Sequence, residues 1–180
     1  GVQGQHASNL GGLIASALVE SSPKPAFIVD PVVVDEVADR VRVTGLKQIR
    51  RRVISHALNQ IATAHRYARD YGSSYEERNL IVAHLGGGIT VGAHKHGRCV
   101  AVNDGLGGEG PFPPERAGSL PGFALVELCY SGRYTKDEVK RLLAGKGGLM
   151  DLLGTTNLMD LERRYLAGEA EVIAVMDAMA

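Results

Sequence analysis

The sequence predicts an α/β fold, in which a central group of strands lies between helical segments. Residues 79–103 alternate short apolar runs with glycines, as strands joined by tight turns do. Between residues 47 and 71, and again after residue 122, apolar residues recur every three or four positions. That spacing is typical of amphipathic helices. Helices on both sides of a set of strands indicate the α/β class.

The central stretch is predicted to form a strand, a glycine turn, a strand, a second turn and a third strand. Leu80–Ala83 is an apolar run, Ile89–Ala93 alternates, and Cys99–Val102 is again apolar. Gly97 suits the positive φ of a tight hairpin turn. The first turn contains Gly86–Gly88, whose backbone N–H groups could approach an anion closely and form a nest for phosphate. A plain tight turn is the alternative interpretation of the three glycines.

Known nucleotide motifs do not explain these glycines. No helix opens after them, so they are not a Rossmann fingerprint. Gly145-Lys146-Gly147 lacks the preceding strand and the Ser or Thr of a Walker A loop.

Helices are predicted on both sides of the strands, and most have recognisable ends. Ser8 or Asn9 can cap the first helix, and Thr135 opens a capping box. The other predicted helices span about Lys47–Tyr71, Gly122–Tyr130, Asp160–Ala167 and Glu169–Ala180. The loop at 103–122 is rich in Gly and Pro, and so long a loop is uncommon unless it has a function.

A buried strand is also predicted at Ala26–Val29, with Asp30 at its carboxyl end before Pro31. Ligands of open α/β sheets bind at the carboxyl ends of strands. Asp before Pro is also an ordinary turn residue, which is the alternative.

The composition is that of an ordinary folded protein without a charge bias. The chain has 180 residues, 44% of them hydrophobic, and a formal net charge of zero. Zero net charge argues against a nucleic-acid surface held by bulk positive charge. No apolar run is long enough for a transmembrane helix. We expect a soluble, cytoplasmic protein without a nucleic-acid or membrane partner.

Two motifs resemble the butyrate kinase family. His84–Lys95 (HLGGGITVGAHK) is similar to that family's phosphate hairpin, and Glu109–Pro121 (EGPFPPERAGSLP) is similar to a second signature. The family belongs with the acetate kinases in the sugar kinase/Hsp70/actin superfamily. The resemblance implies an actin-like ATPase (ribonuclease H-like) fold, with mixed sheets flanked by helices, incomplete in this chain. It implies the end of a first domain at residues 1–31 and most of a second domain at residues 32–180.

The resemblance also implies an activity, that of a phosphotransferase with a carboxyl group as acceptor. The enzyme would use ATP to phosphorylate a short-chain carboxylate, butyrate or a branched-chain analogue, giving ADP and an acyl phosphate reversibly. Mg²⁺ would accompany ATP, and we expect a homo-oligomer. Acetate kinases usually have Asn where this chain has Gly87, which favours butyrate over acetate.

Individual residues take roles from the same resemblance. His6, in a His-x-x-Asn-Leu setting, would line the carboxylate site, and Asp30 would take part in catalysis and position Mg²⁺. His56 matches the catalytic histidine segment, and Arg116 would hold the substrate carboxylate and the transferring phosphoryl group. The phosphates of ATP would bind at His84, Gly86, Gly87 and Gly88.

Simpler interpretations stand beside these roles. Arg116 could form a surface salt bridge with Glu109 or Glu115, and His56 could be a structural helix residue. His94-x-His96 could form part of a zinc site in a metal-binding module.

Other functions also remain open for the whole chain. One is another kinase of the same fold, such as an acetate or sugar kinase, and another is a catalytically incomplete scaffold. Gly1 is not an initiator methionine, and Ala180 ends a helix-like pattern. The family's N-terminal phosphate loop, adenosine loop and late catalytic carboxylate are not found. We therefore expect an internal fragment that is inactive by itself.

Overall fold

The computed structural model describes residues 10–20 and 23–180 of the chain. The helices of these ranges are α1 (Leu10–Val19), α2 (Ala57–Asp70), α3 (Gly122–Tyr130), α4 (Lys136–Leu143), α5 (Leu149–Leu153), α6 (Leu158–Leu166) and α7 (Ala170–Met179). The strands are β1 (Asn79–Leu85), β2 (Ile89–Lys95) and β3 (Arg98–Val102), and short 3₁₀ helices span Asp39–Arg42 and Tyr75–Glu77. Among these helices, none has the length and apolar character needed to cross a membrane.

The chain divides into two compact units. The first contains the described residues up to His84 together with Thr90–Asp104, and the second contains Leu85–Ile89 and Gly105–Ala180. This division does not follow the expected domain boundary at residue 31, which stays a prediction.

The predicted order of strands and turns in the centre of the chain is confirmed. The three strands form one sheet in the order β1-β2-β3, and β2 pairs with β3 in antiparallel fashion, with Lys95 opposite Arg98. The turn between them is His96-Gly97, with φ of 50° and 75°. Positive φ at both central residues is the mark of a type I′ hairpin turn. The role assigned to Gly97 is therefore confirmed.

One face of β1 and β2 is turned inward, because side chains alternate along a strand. On β1 the less exposed positions are 80, 82 and 84, and on β2 they include 90, 92 and 94. A hydrophobic cluster joins this face to α2, with Ala64 and Ala68 of α2 packed with Tyr75 and Val82. On this inner face β1 contributes the apolar residues Leu80 and Val82, whereas β2 contributes Thr90, Gly92 and His94.

The predicted start of the long helix was wrong, since α2 begins at Ala57 rather than near Lys47. Residues 51–56 before it have no regular secondary structure, and the N–H of Ser55 donates to the carbonyl of Val32 at 3.2 Å. The three cations Arg50–Arg52 would oppose the dipole at a helix N-terminus. A later start leaves them outside the helix.

The predicted buried strand at Ala26–Val29 was also wrong. These residues have no regular secondary structure, and Phe27 and Val29 are 78% and 64% exposed. A strand needs partners for its backbone groups. Within residues 10–20 and 23–180, the sheet consists of β1, β2 and β3 alone.

The helices predicted for the second unit are confirmed. Thr135 and Glu138 form the reciprocal capping box at the start of α4. Gly168 separates α6 from α7, as predicted. The core of this unit is formed by Leu149, Leu161 and Val172, each 0% exposed. These helices support the loop that begins at residue 103, which has no helix or strand before α3 starts at Gly122.

Candidate active site

Two histidines with predicted roles stack on each other in the first unit. His56 occupies the N-cap position of α2, and His84 lies on the inner face of β1 close to its end. Their ring centroids are 3.7 Å apart, and their planes differ by 7°. His84 Nδ1 lies 3.1 Å from Asn59 Oδ1, so this ring is held from α2 as well. The structure thus joins the predicted catalytic histidine to one of the predicted phosphate-binding residues.

A buried polar cluster holds the other side of His56. Its Nδ1 lies 2.9 Å from the hydroxyl of Thr90, which is 0% exposed. Gln60 donates from Nε2 to the carbonyl of Thr90 at 3.0 Å and to its hydroxyl at 2.9 Å. Gln60 lies one helical turn beyond His56, and its side chain is 1% exposed. The orientation of the His56 ring therefore depends on two side chains outside the predicted set.

His94 extends this cluster and is not arranged as a zinc ligand. Its Nδ1 lies 2.5 Å from the hydroxyl of Tyr75, and its Nε2 lies 3.1 Å from Gln60 Oε1. Burial lowers the pKa of His94 and raises the pKa of Tyr75 to about 12. His96 lies beyond the end of β2, next to the carbonyl of Glu76. Because both ring nitrogens of His94 are hydrogen-bonded, the zinc interpretation was wrong. The described part of the chain contains no group of three or more His, Cys, Asp or Glu side chains that could hold a metal ion.

Asp30 lies in the first unit, in the loop before Pro31. It is partly buried and has a φ of 41°, in the left-handed region. Asp tolerates this region better than most residues. The carboxylate therefore has a defined backbone position, although not at the end of a strand as predicted.

The three glycines form the turn between β1 and β2 and belong to the second unit. The N–H of Gly86 donates to the carbonyl of Gly88 at 3.2 Å, so it is used within the turn. Gly87 is exposed, its φ is outside the left-handed region, and a Cβ there would have no neighbour within 4 Å. The fold of the described residues therefore does not require glycine at position 87.

Arg116 lies in the long loop of the second unit and is partly buried. Its Nη1 donates to the carbonyl of Gly105 at 2.5 Å. The loop backbone is tied to the segment between α4 and α5. Ala117 N–H donates to Leu143, and Gly145 N–H donates to Glu115, at 3.1 and 2.7 Å. The guanidinium thus projects from a backbone that is held on both sides of its Cα.

Two glycines make this close approach possible. A Cβ on Gly147 would lie 2.5 Å from the carbonyl oxygen of Leu142 and 2.7 Å from the N of Ala117. A Cβ on Gly148 would lie 2.7 Å from the carbonyl oxygen of Arg116 and closer still to that of Pro113. Real Cβ atoms essentially never come this close to backbone. The Gly147-Gly148 pair is therefore fitted to the backbone of the Arg116 loop.

Prediction from sequence missed the residues that support the two candidate side chains. Gln60 and Thr90 were passed over because each looks like an ordinary polar residue. A signal was present, since Gln60 follows His56 by four residues on the buried face of a helix. Gly147 was considered only as part of Gly145-Lys146-Gly147, which is not a Walker A loop, and Gly148 was not singled out. His6, predicted to line the carboxylate site, lies outside the described residues.

Comparison with known proteins identifies the family. The model of the acetokinase family matches residues 44–178. The chain belongs to the acetokinase family. It is also 50% identical to butyrate kinase 2 of Clostridium acetobutylicum over 179 residues, which is 99% of this chain and 50% of that protein. The chain therefore spans about half the length of this relative.

Solved structures of acetokinases share the fold. The chain matches the acetate kinase of Porphyromonas gingivalis with a TM-score of 0.81 at 20% identity, over 95% of this chain and 45% of that one. The propionate kinase of Francisella tularensis gives 0.75 at 16% identity, covering 94% and 46%. The acetate kinase of Entamoeba histolytica gives 0.77 at 14% identity, covering 96% and 47%. The expected actin-like fold is thus confirmed.

Gly148→Ala should destabilise the protein far more than Gly154→Ala. The two glycines flank α5 and have nearly equal φ, 66° and 70°, but a Cβ on Gly154 would meet nothing within 4 Å. Gly154→Ala should lower the free energy of unfolding by about 1 kcal/mol, because alanine is strained in the left-handed region. Gly148→Ala would also displace the Arg116 loop, so the free energy of unfolding should fall by about 3 kcal/mol or more. Denaturant unfolding measures both, and equal losses would contradict the fitted contact.

Proposed function

We propose that this acetokinase chain is part of an enzyme that phosphorylates a short-chain carboxylate with ATP, giving an acyl phosphate and ADP reversibly. The observation that carries the proposal is 50% identity to a protein named butyrate kinase across 99% of the chain. The same match supports butyrate as the acceptor, and a branched-chain analogue is the proposed alternative. Gly87, in place of the Asn usual in acetate kinases, favours the same choice.

The chemistry of this reaction needs positive charge rather than a base. A carboxylate has a pKa near 4, so it is already an ionised nucleophile at neutral pH. It must approach the polyanionic end of ATP, and charge in the transition state is spread over the phosphoryl oxygens. Donors already in position are then the main source of rate acceleration. Arg116 and His56 are the side chains to which we assign this role.

Arg116 is suited to a planar anion. A guanidinium offers several N–H groups in a fixed fork, which matches carboxylate and phosphoryl oxygens. One donor of Arg116 goes to the carbonyl of Gly105, and this contact orients the plane of the group. The tie between its loop and the α4–α5 segment supports a role that requires accurate placement.

The turn between β1 and β2 is proposed to bind phosphates of ATP. Gly87 is exposed and carries no conformational requirement for glycine. A missing side chain is then best explained by close approach of a ligand to the backbone. His84, at the end of β1, and the neighbouring Gly86 and Gly88 complete the proposed phosphate site.

Mg²⁺ is proposed to accompany ATP, with Asp30 as the residue of this chain that helps to hold it. Mg²⁺ usually takes one or two carboxylates, keeps several waters and binds substrate phosphates. A single partly buried carboxylate at a defined backbone position fits that pattern. The ion would neutralise charge on the phosphates. His6 remains the proposed contact for the carboxylate substrate, and we assign the reaction to the cytoplasm, where ATP is the common phosphoryl donor.

Acyl-phosphate formation by the complete polypeptide that the gene encodes tests the proposal. With ATP, Mg²⁺ and butyrate, hydroxylamine should trap a butyryl hydroxamate in proportion to the ADP released. Acetate should give a lower kcat/KM than butyrate, and a hexose should give none. ADP release that depends on a hexose, without hydroxamate, would identify a sugar kinase instead. The absence of any acceptor-dependent ADP release would favour the alternative of a catalytically incomplete scaffold.

Arg116→Ala should lower kcat in the complete polypeptide. A donor that contacts the transferring phosphoryl group acts mainly in the transition state, so kcat falls rather than KM alone rising. Loss of one such donor typically costs on the order of 10²–10³ in kcat. Arg116→Lys keeps the charge without the fork and should recover only part of the rate. If steady-state kinetics give Ala and Lys variants within about threefold of the parent, Arg116 has no part in the reaction.

Gly87→Ala should weaken ATP binding without loss of stability. Its Cβ has room in the fold but would stand where a phosphate approaches the backbone. We expect the Kd for ATP to rise about tenfold, as when one hydrogen bond to a charged group is lost. Gly45→Ala is the control, because its Cβ also meets nothing within 4 Å. Calorimetric titration measures the affinities. Unchanged ATP binding by a folded Gly87→Ala protein would show that the glycines form only a turn and do not bind phosphate.

A further inference from the structure

The hydroxyl of Thr90 has three nitrogen neighbours, and their chemistry decides where its proton points. Gln60 Nε2 lies 2.9 Å from Thr90 Oγ1, the backbone N of His56 lies 3.4 Å away, and His56 Nδ1 lies 2.9 Å away. A hydroxyl has two acceptor lone pairs and one proton. The two N–H donors use the lone pairs, so the proton is directed at His56 Nδ1. That ring nitrogen must therefore be an acceptor.

The orientation of the Gln60 amide is set independently. The carbonyl oxygen of Thr90 can only accept, and it lies 3.0 Å from one end of the amide. That end must be the NH₂ group. The amide oxygen is then the end that lies 3.1 Å from His94 Nε2. His94 Nε2 must consequently carry a proton and donate to Gln60.

The hydrogen bond between Tyr75 and His94 runs in the same direction, with Tyr75 as the donor. A neutral His94 with its proton on Nε2 has a bare Nδ1, which lies 2.5 Å from the Tyr75 hydroxyl. Tyr75 can therefore donate to it. The raised pKa of Tyr75, about 12, and the lowered pKa of His94 both come mainly from burial. They keep Tyr75 protonated and His94 neutral, as this direction requires.

Gly92 explains why the cluster can form beneath α2. It lies on the inner face of β2 between Thr90 and His94. A Cβ at this position would lie 2.8 Å from His94 Nε2 and closer still to Gln60 Oε1. The hydrogen bond between Gln60 and His94 thus passes over a site where no side chain fits.

We propose that Tyr75, His94, Gln60 and Thr90 form one directed hydrogen-bond chain that holds neutral His56 in the tautomer with its proton on Nε2. These four are positioning residues, since they act through His56. The inference rests on the proposed function in one respect, the role of His56 toward the phosphoryl group. With Nδ1 accepting from Thr90 and the proton on Nε2, His56 is an N–H donor suited to an anionic phosphoryl oxygen. A general base would need a bare Nε2, and a carboxylate nucleophile needs no base.

Nitrogen NMR of the complete polypeptide labelled with ¹⁵N-histidine tests the chain of hydrogen bonds without any substrate. At about pH 8.5, well above the ordinary histidine pKa of about 6.5, neutral rings report which nitrogen carries the proton. The His56 signals, assigned by their loss in His56→Gln, should show a protonated Nε2 and a bare Nδ1. Thr90→Ser keeps the hydroxyl and should keep this pattern. Gln60→Met removes one donor to Thr90, and a population with the proton on Nδ1 should appear.

Kinetics of the same variants link the tautomer to the reaction. Gln60→Met and Thr90→Val should lower kcat on the order of tenfold, the lower end of the loss seen when a residue that orients a metal-bound imidazole is replaced, with KM for butyrate within about twofold. Thr90→Ser should stay within about twofold of the parent. A purely structural role would lower the melting temperature but leave the tautomer of the folded variant unchanged.

Two results would overturn the inference. One is a proton on Nδ1 of His56 in the parent, a result that needs only the His56→Gln spectrum for assignment. The other is a folded Gln60→Met protein with the parent's tautomer and kcat. If the tautomer is as expected but no acyl phosphate forms, the hydrogen-bond chain stands and the proposed function fails. The two claims can therefore fail separately.

Discussion

The closeness of α2 to the inner face of β2 is the constraint on which the first unit depends. Gly92 allows this approach, and Gln60 fills the space that a Cβ would take, bonding to Thr90 on one side and His94 on the other. Burying these polar groups without partners would cost roughly 1–3 kcal/mol each, so the cluster is stable only when complete. His56, at the start of α2, is oriented by its hydrogen bond to Thr90 of that cluster. The stack with His84 then follows from the position of β1 beside β2.

The second unit applies the same principle to a different side chain. There the close approach is between backbones, with Gly147-Gly148 fitted to the loop that carries Arg116. Both proposed donors are thus positioned by packing that depends on glycines. This suits a reaction between two anions, since donors already in position need no reorganisation when charge shifts to the phosphoryl oxygens. It also agrees with the absence of any need for a base when the nucleophile is a carboxylate.

Local patterns predicted much of the fold, whereas long-range contacts could not be predicted. The turn at Gly97, the capping box at Thr135 and the break at Gly168 are decided by a few adjacent residues, and all three were found from sequence. The late start of α2 depends on backbone pairing with distant residues, such as Val32. Likewise, a role for His56 could be predicted from a motif, but its hydrogen-bond partner Thr90 lies 34 residues away in the chain. The run Ala26–Val29 showed the opposite failure, since apolar content alone does not supply a neighbouring strand.

In the proposed reaction, a carboxylate oxygen receives the phosphoryl group of ATP. The most direct measurement is ³¹P NMR of the complete polypeptide incubated with ATP, Mg²⁺ and butyrate labelled with ¹³C at the carboxyl carbon. We expect a new phosphorus signal, formed together with ADP, that is coupled to the labelled carbon through the shared oxygen. ADP formed with inorganic phosphate alone, and no carbon-coupled signal at any time in the reaction, would contradict it.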